Sequence, residues 1–526
     1  MKAIALILCL ATAQDGRKWA EATAYLQRFS SSRDPLDRAA AVKGLGEATT
    51  DKTDKLCWQL VGGQLRQELA REGDGRNEDR VSGAVLEACI EAFRRIAAKD
   101  AVDLMVKAAK NKGDSPRFRA HVVWGLSARA DLKDLSELAD DRQPHVQIAA
   151  LDALAERADA GSVDLFLKAI RDDKRGWEAK LAALKGIDRA ADEKAVDALI
   201  ESLGKVKLDE GRLKDEVLKI LKKLVGADLN TEDVNAWKAA WAAKKEGKDF
   251  LNPGEGGTTS EPIEFFGLKT KSTRIVFILD RTGSMASPLR MDPPKPAPKD
   301  PPKKPEVATG GASGRKEAPE IAAARDEAAR IKKKYDERKV ETRMDALKKE
   351  FIHTIWNLNE KVWFGVVFYE GNHQPWRDHL VPATWPNKLE IIRETDRLLP
   401  GGPTNIWGAL EHAYRYVEQP QRPDVMAVDK KGNYATLVAG ADTFFLMTDG
   451  AHNTGKFVKE TATNPLDVCD VNGFAAEIRK IHRIRKVVIN TICLGSEAAQ
   501  PALLPDPKLM QKIAEETGGE FTHIRG

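Results

Sequence analysis

The feature that most constrains this 526-residue chain is a change of hydrophobic period near its middle. From about residue 20 to 245, apolar residues recur at helical spacing and alternating strand patterns are almost absent. After about residue 272, short apolar runs predict strands at Arg274 to Asp280, Val362 to Tyr369, Asp442 to Asp449 and Lys486 to Gly495, with a last one at Glu520 to Ile524. Helical patterns lie between them: Met344, Leu347, Phe351, Ile355 and Leu358; Ile406 to Val417; Phe474 to Ile484; and Lys508 to Thr517. Strands buried along their whole length and alternating with helices predict a doubly wound, Rossmann-like α/β sheet covered on both faces. The expectation is therefore multidomain: an all-α half followed by an α/β half.

The helical half repeats itself. Glu91-Ala92-Phe93-Arg94-Arg95-Ile96, Val122-Val123-Trp124-Gly125-Leu126, Ala150-Leu151-Asp152-Ala153-Leu154 and Ala183-Leu184-Lys185-Gly186-Ile187 recur roughly every 28 to 33 residues, the period of stacked helical hairpins. Asp34-Pro35 before Arg38 to Leu45 looks like an earlier copy. Each unit is expected to pair a helix such as Val146 to Arg157 with a partner such as Val163 to Arg171. In period and in their apolar-small pattern these units resemble HEAT repeats, which implies an α-solenoid over residues 14–245. Trp237 and Trp241, four apart on a closing helix, are read as core rather than as a binding stripe.

Residues 246–272 hold Gly247, Pro253, Gly254, Gly256 and Gly257 and are expected to be a linker into an α/β domain at 273–526. That domain carries an insertion at 288–341. It has eight prolines between Pro288 and Pro305, then Gly310 to Gly314, then a charged Ala-rich helix from about Pro319 to Lys339. An exposed arm is expected, read as a solvated spacer in preference to a basic docking segment because Asp292, Asp300 and Glu306 dilute its charge.

Lys plus Arg number 84 and Asp plus Glu 80, so a net charge of +4 makes no global polycation for nucleic acid or anionic lipid. Five cysteines without a C-x-x-C pair exclude a disulfide framework and a Cys-rich zinc module. At the N-terminus, Lys2, an apolar run from Ala3 to Leu10 and Ala11-Thr12-Ala13 have the layout of a secretory signal over residues 1–13, cleaved before Gln14. Leu8 before Cys9 speaks against a lipoprotein. No other stretch is apolar for the roughly 18 to 20 residues of a membrane span. The expected location is periplasmic or secreted.

In doubly wound sheets the site lies at the carboxyl ends of the strands. Here the first strand ends at Asp280 and continues Arg281-Thr282-Gly283-Ser284, a later loop reads Gly401-Gly402-Pro403-Thr404-Asn405, and another strand ends Thr448-Asp449-Gly450. Two carboxylates and three hydroxyls form an all-oxygen donor set, suited to Mg²⁺, Mn²⁺ or Ca²⁺ rather than to zinc or copper.

With these residues in place, the α/β half resembles a von Willebrand factor type A (VWA) domain with a metal-ion-dependent adhesion site (MIDAS). The family pattern is D-x-S-x-S, then a Thr, then an Asp, and Asp280, Thr282, Ser284, Thr404 and Asp449 match it, with Thr282 where Ser is usual. The resemblance implies a Mg²⁺, Mn²⁺ or Ca²⁺ ion with a vacancy facing solvent, taking an Asp or Glu carboxylate from a protein partner, and a Thr404 loop able to shift. Arg281, His452, Asn453 and Lys456 either tune partner choice or are ordinary solvated loop residues, and Trp407 is read as packing. His373, Asp378 and His379 match no compact zinc motif.

The leading expectation is an exported, non-enzymatic binding, adhesion or scaffold protein, with the helical repeats as a second protein surface. One alternative is a partner of a separate MoxR- or chelatase-like AAA+ ATPase, since the chain has no P-loop of its own. Another is a scaffold with a structural or vacant metal site. A metal-dependent hydrolase is disfavoured: there is no G-x-S-x-G, no H-E-x-x-H and no carboxylate in the metal loops beyond the two ligands. Cys493, within an apolar strand, is read as a small core residue.

Overall fold

The computed structural model describes residues 14–71, 81–158, 160–205, 211–227, 229, 231–247, 262–289, 318–414, 416, 440–459, 468–495 and 506–525. The expected signal segment 1–13, most of the expected linker and the proline-rich part of the insertion lie outside the described residues. The chain divides into two units, Met1–Ser260 with Arg422–Ala439 and Asn472–Lys486, and the remainder from Glu261.

The first unit is built of helices that alternate between two rows. Pro35–Ala48, Gly83–Arg95, Pro116–Gly125, Pro144–Arg157, Trp177–Ala190 and Gly211–Val225 each pack on the next of their row. Small residues allow the close approach. A Cβ added to Gly46 would lie 2.8 Å from Ala92, and one on Gly125 would lie 2.4 Å from the Phe93 Cβ. Helices of the second row pack mainly on the first-row helix that follows them: Lys99–Lys110 on Pro116–Gly125, Leu132–Ala139 on Pro144–Arg157, Val163–Arg171 on Trp177–Ala190. Val163–Arg171 thus pairs forward, not back onto the helix ending at Arg157 as expected. The cause is Gly186, whose missing side chain admits the buried ring of Phe166: a Cβ there would meet it at 2.3 Å. Trp237 and Trp241 are both buried, and the Trp237 indole donates to the Thr231 carbonyl at 2.9 Å.

One helix from late in the chain joins this unit. Residues 472–486, within and just after the helix Val471–Arg485, carry Lys480, Arg483 and Lys486 at three-residue spacing. Lys480 Nζ donates to the Val81 carbonyl at 2.9 Å, Arg483 makes two 2.8 Å bonds to Glu87, and Lys486 Nζ lies 2.6 and 2.9 Å from the Asp152 oxygens. Burial pushes the Lys486 ammonium below its usual value, partly offset by Asp152.

The second unit is an α/β sheet in the order β5-β4-β3-β7-β8-β9, where β3 is Arg274–Asp280, β4 Trp363–Tyr369, β5 His373–Pro375, β7 Thr443–Thr448, β8 Val488–Leu494 and β9 Phe521–Ile524; β6, Val381–Pro382, pairs with β4. β3, β4, β7, β8 and β9 run parallel, and β5 and β6 are antiparallel to β4. All seven positions of β3 and of β8 are buried, as their unbroken apolar runs require. The register sets Asp280 beside Tyr369 of β4, and Leu279 beside Met447 of β7, so the ends of the three central strands are level.

Three features depart from expectation. Residues 263–270, read as linker, form a hairpin of β1 (Ile263–Phe265) and β2 (Leu268–Thr270) turned by Phe266 and Gly267, both at positive φ as a type I′ turn requires. Phe265 is buried within 5.4 Å of the Phe277 ring and 5.7 Å of the Phe445 ring. The helix Pro319–Glu337 is not an exposed arm. It packs on helices Arg343–Asn357 and Trp385–Arg397, burying Ala324, Ala328 and Tyr335, whose hydroxyl donates to Asp396 at 2.6 Å. The helix Trp385–Arg397 itself had no sequence forecast.

Candidate metal centre

Three loops at the carboxyl end of the sheet converge. Asp280 closes β3 and is fully buried. Its Oδ1 accepts the Thr282 amide at 2.7 Å, a local Asx turn that swings the chain out of the strand. Its Oδ2 accepts the Thr448 hydroxyl at 2.7 Å, the Tyr369 hydroxyl at 3.3 Å and the Asp449 amide at 3.4 Å. Gly283–Ala286 then makes a single 3-10 turn that presents Ser284, and Ser284 is partly open to solvent.

Asp449 follows β7 and is also fully buried. One carboxylate oxygen, Oδ1, accepts the Ser284 hydroxyl at 2.7 Å and the Thr282 hydroxyl at 3.4 Å; those two hydroxyls lie 2.9 Å apart. The other, Oδ2, takes Arg343 Nη1 at 3.0 Å, and the same nitrogen donates to the Asp449 carbonyl at 3.1 Å. Burial pushes both carboxyls above their ordinary value. Asp449 is raised to about 7 by burial and by Asp280, against the Ser284 hydroxyl and Arg343.

Thr404 arrives from the second loop and is buried. Gly402 takes a positive φ of 78°, and its carbonyl accepts the Gly283 amide at 3.1 Å, while the Gly401 amide donates to Arg281 at 2.8 Å. The third loop holds Thr404 by its backbone: Asn453 Oδ1 accepts the Thr404 amide at 2.8 Å, and the Asn453 amide donates to the Thr404 carbonyl at 3.1 Å. Asn405 caps the helix Ile406–Ala413 through Gly408.

The five sequence-derived residues are therefore brought to one place. Asp280, Thr282, Ser284 and Asp449 are linked by hydrogen bonds, and Thr404 joins them across Gly450. A Cβ at Gly450 would sit 3.2 Å from Thr404 Oγ1 and 3.4 Å from Ser284 Oγ, so the glycine keeps these hydroxyls uncrowded. Two carboxylates and three hydroxyls fit a hard divalent cation, which prefers oxygen donors. Among the described residues no three His, Cys, Asp or Glu side chains gather as a metal cluster; this set draws most of its donors from hydroxyls.

Several neighbours have roles that their sequence positions did not announce. Arg343 returns from the far side of a long insertion, and Tyr369 is simply the last residue of β4. His452 is not a solvated loop residue. It is fully buried, its Nδ1 accepts the Ile406 amide at 3.1 Å and its Nε2 donates to the Lys456 carbonyl at 2.6 Å. Arg281 pairs with Glu370 at 3.1 Å, and Trp407 is buried edge-on to Phe457 at 5.0 Å. His379 meets Asp378 at 2.5 Å while the His373 ring lies tilted against His412 with centroids 4.9 Å apart. Cys57, Cys89, Cys469 and Cys493 are buried free thiols.

No protein-family model matches the chain, and no curated protein matches it. Several solved structures overlay about half of it, and one, the Deinococcus radiodurans RO (RSR) protein, overlays 98% at 14% identity and a TM-score of 0.17, over 91% of its own length. A von Willebrand factor type A protein from Catenulispora acidiphila overlays 49% of this chain at 17% identity and a TM-score of 0.23, and this chain spans 40% of that one. A conserved hypothetical protein BatB from Bacteroides thetaiotaomicron overlays 48% at 11% identity and a TM-score of 0.22, over 90% of its own length. Proximal thread matrix protein 1 from the mussel byssus, with a zinc-occupied MIDAS motif, overlays 48% at 15% identity and a TM-score of 0.23, over 44% of that chain. All four scores lie below 0.5 and all four identities below 25%, so the overlays define no residue of the site. No helix among the described residues is long and apolar enough to cross a membrane.

Proposed function

We propose that the α/β unit is a VWA-like binding domain and that Asp280, Thr282, Ser284, Thr404 and Asp449 hold a divalent ion, Mg²⁺ first and Mn²⁺ or Ca²⁺ as alternatives. The observation that supports this most is the meeting of two buried carboxylates with three hydroxyls, all from three separate loops around Gly450, with Ser284 partly open to solvent. Such an ion, when bound, supplies an electrophilic position for an external oxygen anion. The chain's own residues do the rest. Thr282, Ser284 and Thr404 offer neutral donors that leave much of the ion's charge unmet, while Asp280 and Asp449 supply negative charge fixed by hydrogen bonds. The partner class that fits is a protein presenting an Asp or Glu carboxylate.

We read the chemistry as capture rather than turnover: both carboxylates serve as ligands or anchors, and among the described residues the neighbouring Glu370 is paired with Arg281 at 3.1 Å. The two rows of helices in the other unit are read as a HEAT-like solenoid offering a second protein surface, on an exported chain. The test is calorimetric titration of the full chain with Mg²⁺, Mn²⁺ and Ca²⁺, wild type beside Asp280→Asn and Thr404→Ala, with folding followed by circular dichroism. Saturable binding lost in folded variants supports the reading. No binding by the folded wild type overturns it.

A further inference from the structure

We propose that Arg343 is a built-in counter-charge that weakens metal binding by the free protein and strengthens capture of a carboxylate once the ion is bound, so that metal occupancy follows the partner. The inference rests on the metal-site reading above and concerns a residue outside its ligand set.

Arg343 is buried beneath the site, 2% exposed at its side chain against 0% for Asp449. Every side-chain hydrogen bond it makes among the described residues goes to Asp449, to Oδ2 and to the carbonyl, while its Nε is buried without a partner. A guanidinium is costly to bury unless matched by charge, so this arginine is placed for that one carboxylate. The fold takes trouble to place it. Arg343 opens its helix behind the Thr342 and Asp345 capping box, and its amide donates to the Ser287 carbonyl at 3.1 Å while Leu289 donates to Glu341 at 2.9 Å. The return of the insertion is thereby stitched to the loop that carries Thr282 and Ser284. On the other side Gly495, at φ 112°, leaves the space: a Cβ there would lie 2.5 Å from Arg343 Nη2.

Asp449 thus divides its two oxygens, Oδ1 toward the hydroxyls and Oδ2 toward Arg343. The carboxylates of Asp280 and Asp449 together carry two negative charges, and Arg343 cancels one. A divalent ion then finds a site of lower negative charge than its ligands alone would make, and the loaded site keeps a net positive charge that only an outside anion neutralises. In a buried setting one unit charge at a few ångströms is worth tenfold or more in affinity. Metal and carboxylate then support each other, and the effect is reciprocal by linkage.

The experiment titrates Mn²⁺ into the full chain at one fixed alkaline pH for wild type, Arg343→Gln and Arg343→Lys, without and with saturating acetate as the carboxylate probe. A second series titrates acetate into each Mn²⁺-loaded protein. The glutamine variant is expected to bind Mn²⁺ about tenfold more tightly, and its loaded form to bind acetate about tenfold more weakly, with the lysine variant close to wild type in both. If both variants lose Mn²⁺ binding alike, Arg343 is structural and the proposal falls. It also falls if all three proteins bind Mn²⁺ and acetate equally. A folded wild type that binds no Mn²⁺ overturns the metal reading itself, and the proposal with it. Should the glutamine variant not fold, Arg343→Met takes its place in the same two titrations: the same tenfold changes support the role of charge, and affinities equal to wild type overturn it.

Discussion

Asn453 grips Thr404 from both sides, its side-chain carbonyl accepting the Thr404 amide at 2.8 Å and its own amide donating to the Thr404 carbonyl at 3.1 Å. The threonine expected to be the mobile ligand is therefore tied to the loop that follows Asp449. Asn453→Ala removes the first of these bonds and leaves the second. The expected cost is about 0.5–1.5 kcal/mol, read as a several-fold loss of Mn²⁺ affinity with little change in the circular dichroism spectrum. An affinity equal to wild type would mean that the backbone bond alone fixes Thr404.

Gly450→Ala tests the convergence of the hydroxyls. Gly450 has no positive φ, so alanine suits its backbone, but the new methyl would lie 3.2 Å from Thr404 Oγ1 and 3.4 Å from Ser284 Oγ. A folded variant with Mn²⁺ affinity reduced about tenfold or more is expected, because crowding at that level costs on the order of 1–3 kcal/mol. Undiminished affinity in isothermal titration would show that the two hydroxyls do not act on one ion.

On the proposed metal site, the raised carboxyls are expected to make metal uptake depend on pH. Asp449 is pushed from an ordinary 3.8 to about 7 by burial and by Asp280, so metal-free protein below that range holds a proton that the ion must displace. Mn²⁺ affinity is expected to fall as pH is lowered from about 8 to about 6, with proton release measurable in buffers of different ionisation enthalpy. For the metal-free protein the sign is the reverse. The folded state binds more protons than the unfolded state between 3.8 and about 7, so stability falls as pH rises through that window. Thermal unfolding in chelator across the same range checks it, and Asp449→Asn flattens the slope.

In the helical unit, Asp152 is the carboxylate that faces the Lys486 ammonium, with the two side chains only 12% and 11% exposed. Asp152→Ala leaves that ammonium buried without its counter-ion and is expected to destabilise by about 3–5 kcal/mol, seen in thermal or denaturant unfolding. The double replacement Asp152→Leu with Lys486→Met removes both charges together and is expected to recover most of the loss. If the single variant is as stable as wild type, the pair carries no structural weight.

The change of period alone was enough to separate helices from sheet, because a helix and a buried strand demand different apolar spacings whatever their neighbours are. The five candidate ligands were legible for a related reason: Asp280, Thr282 and Ser284 share one turn, and Asp449 directly follows a strand, so chain position places them at the strand ends. Other features depend on residues far apart meeting in space. Val163–Arg171 chose the helix after it because Phe166 fits over Gly186, a match of shape that no local pattern records. The hairpin at 263–270 turns on Phe266-Gly267, which lacks the usual Asn-Gly or Asp-Gly signal, and it is held by Phe265 among aromatic rings of β3 and β7. Arg343 stands 106 positions from Asp449, and the insertion at 288–341 parts it from the Asp280 loop, so nothing in its neighbourhood marks it as a partner. Local chemistry thus determined most of the helices and strands and which oxygen-bearing side chains stand at the strand ends. The tertiary structure decided which charges face each other, since pairing in a buried place depends on packing, and packing depends on the whole chain.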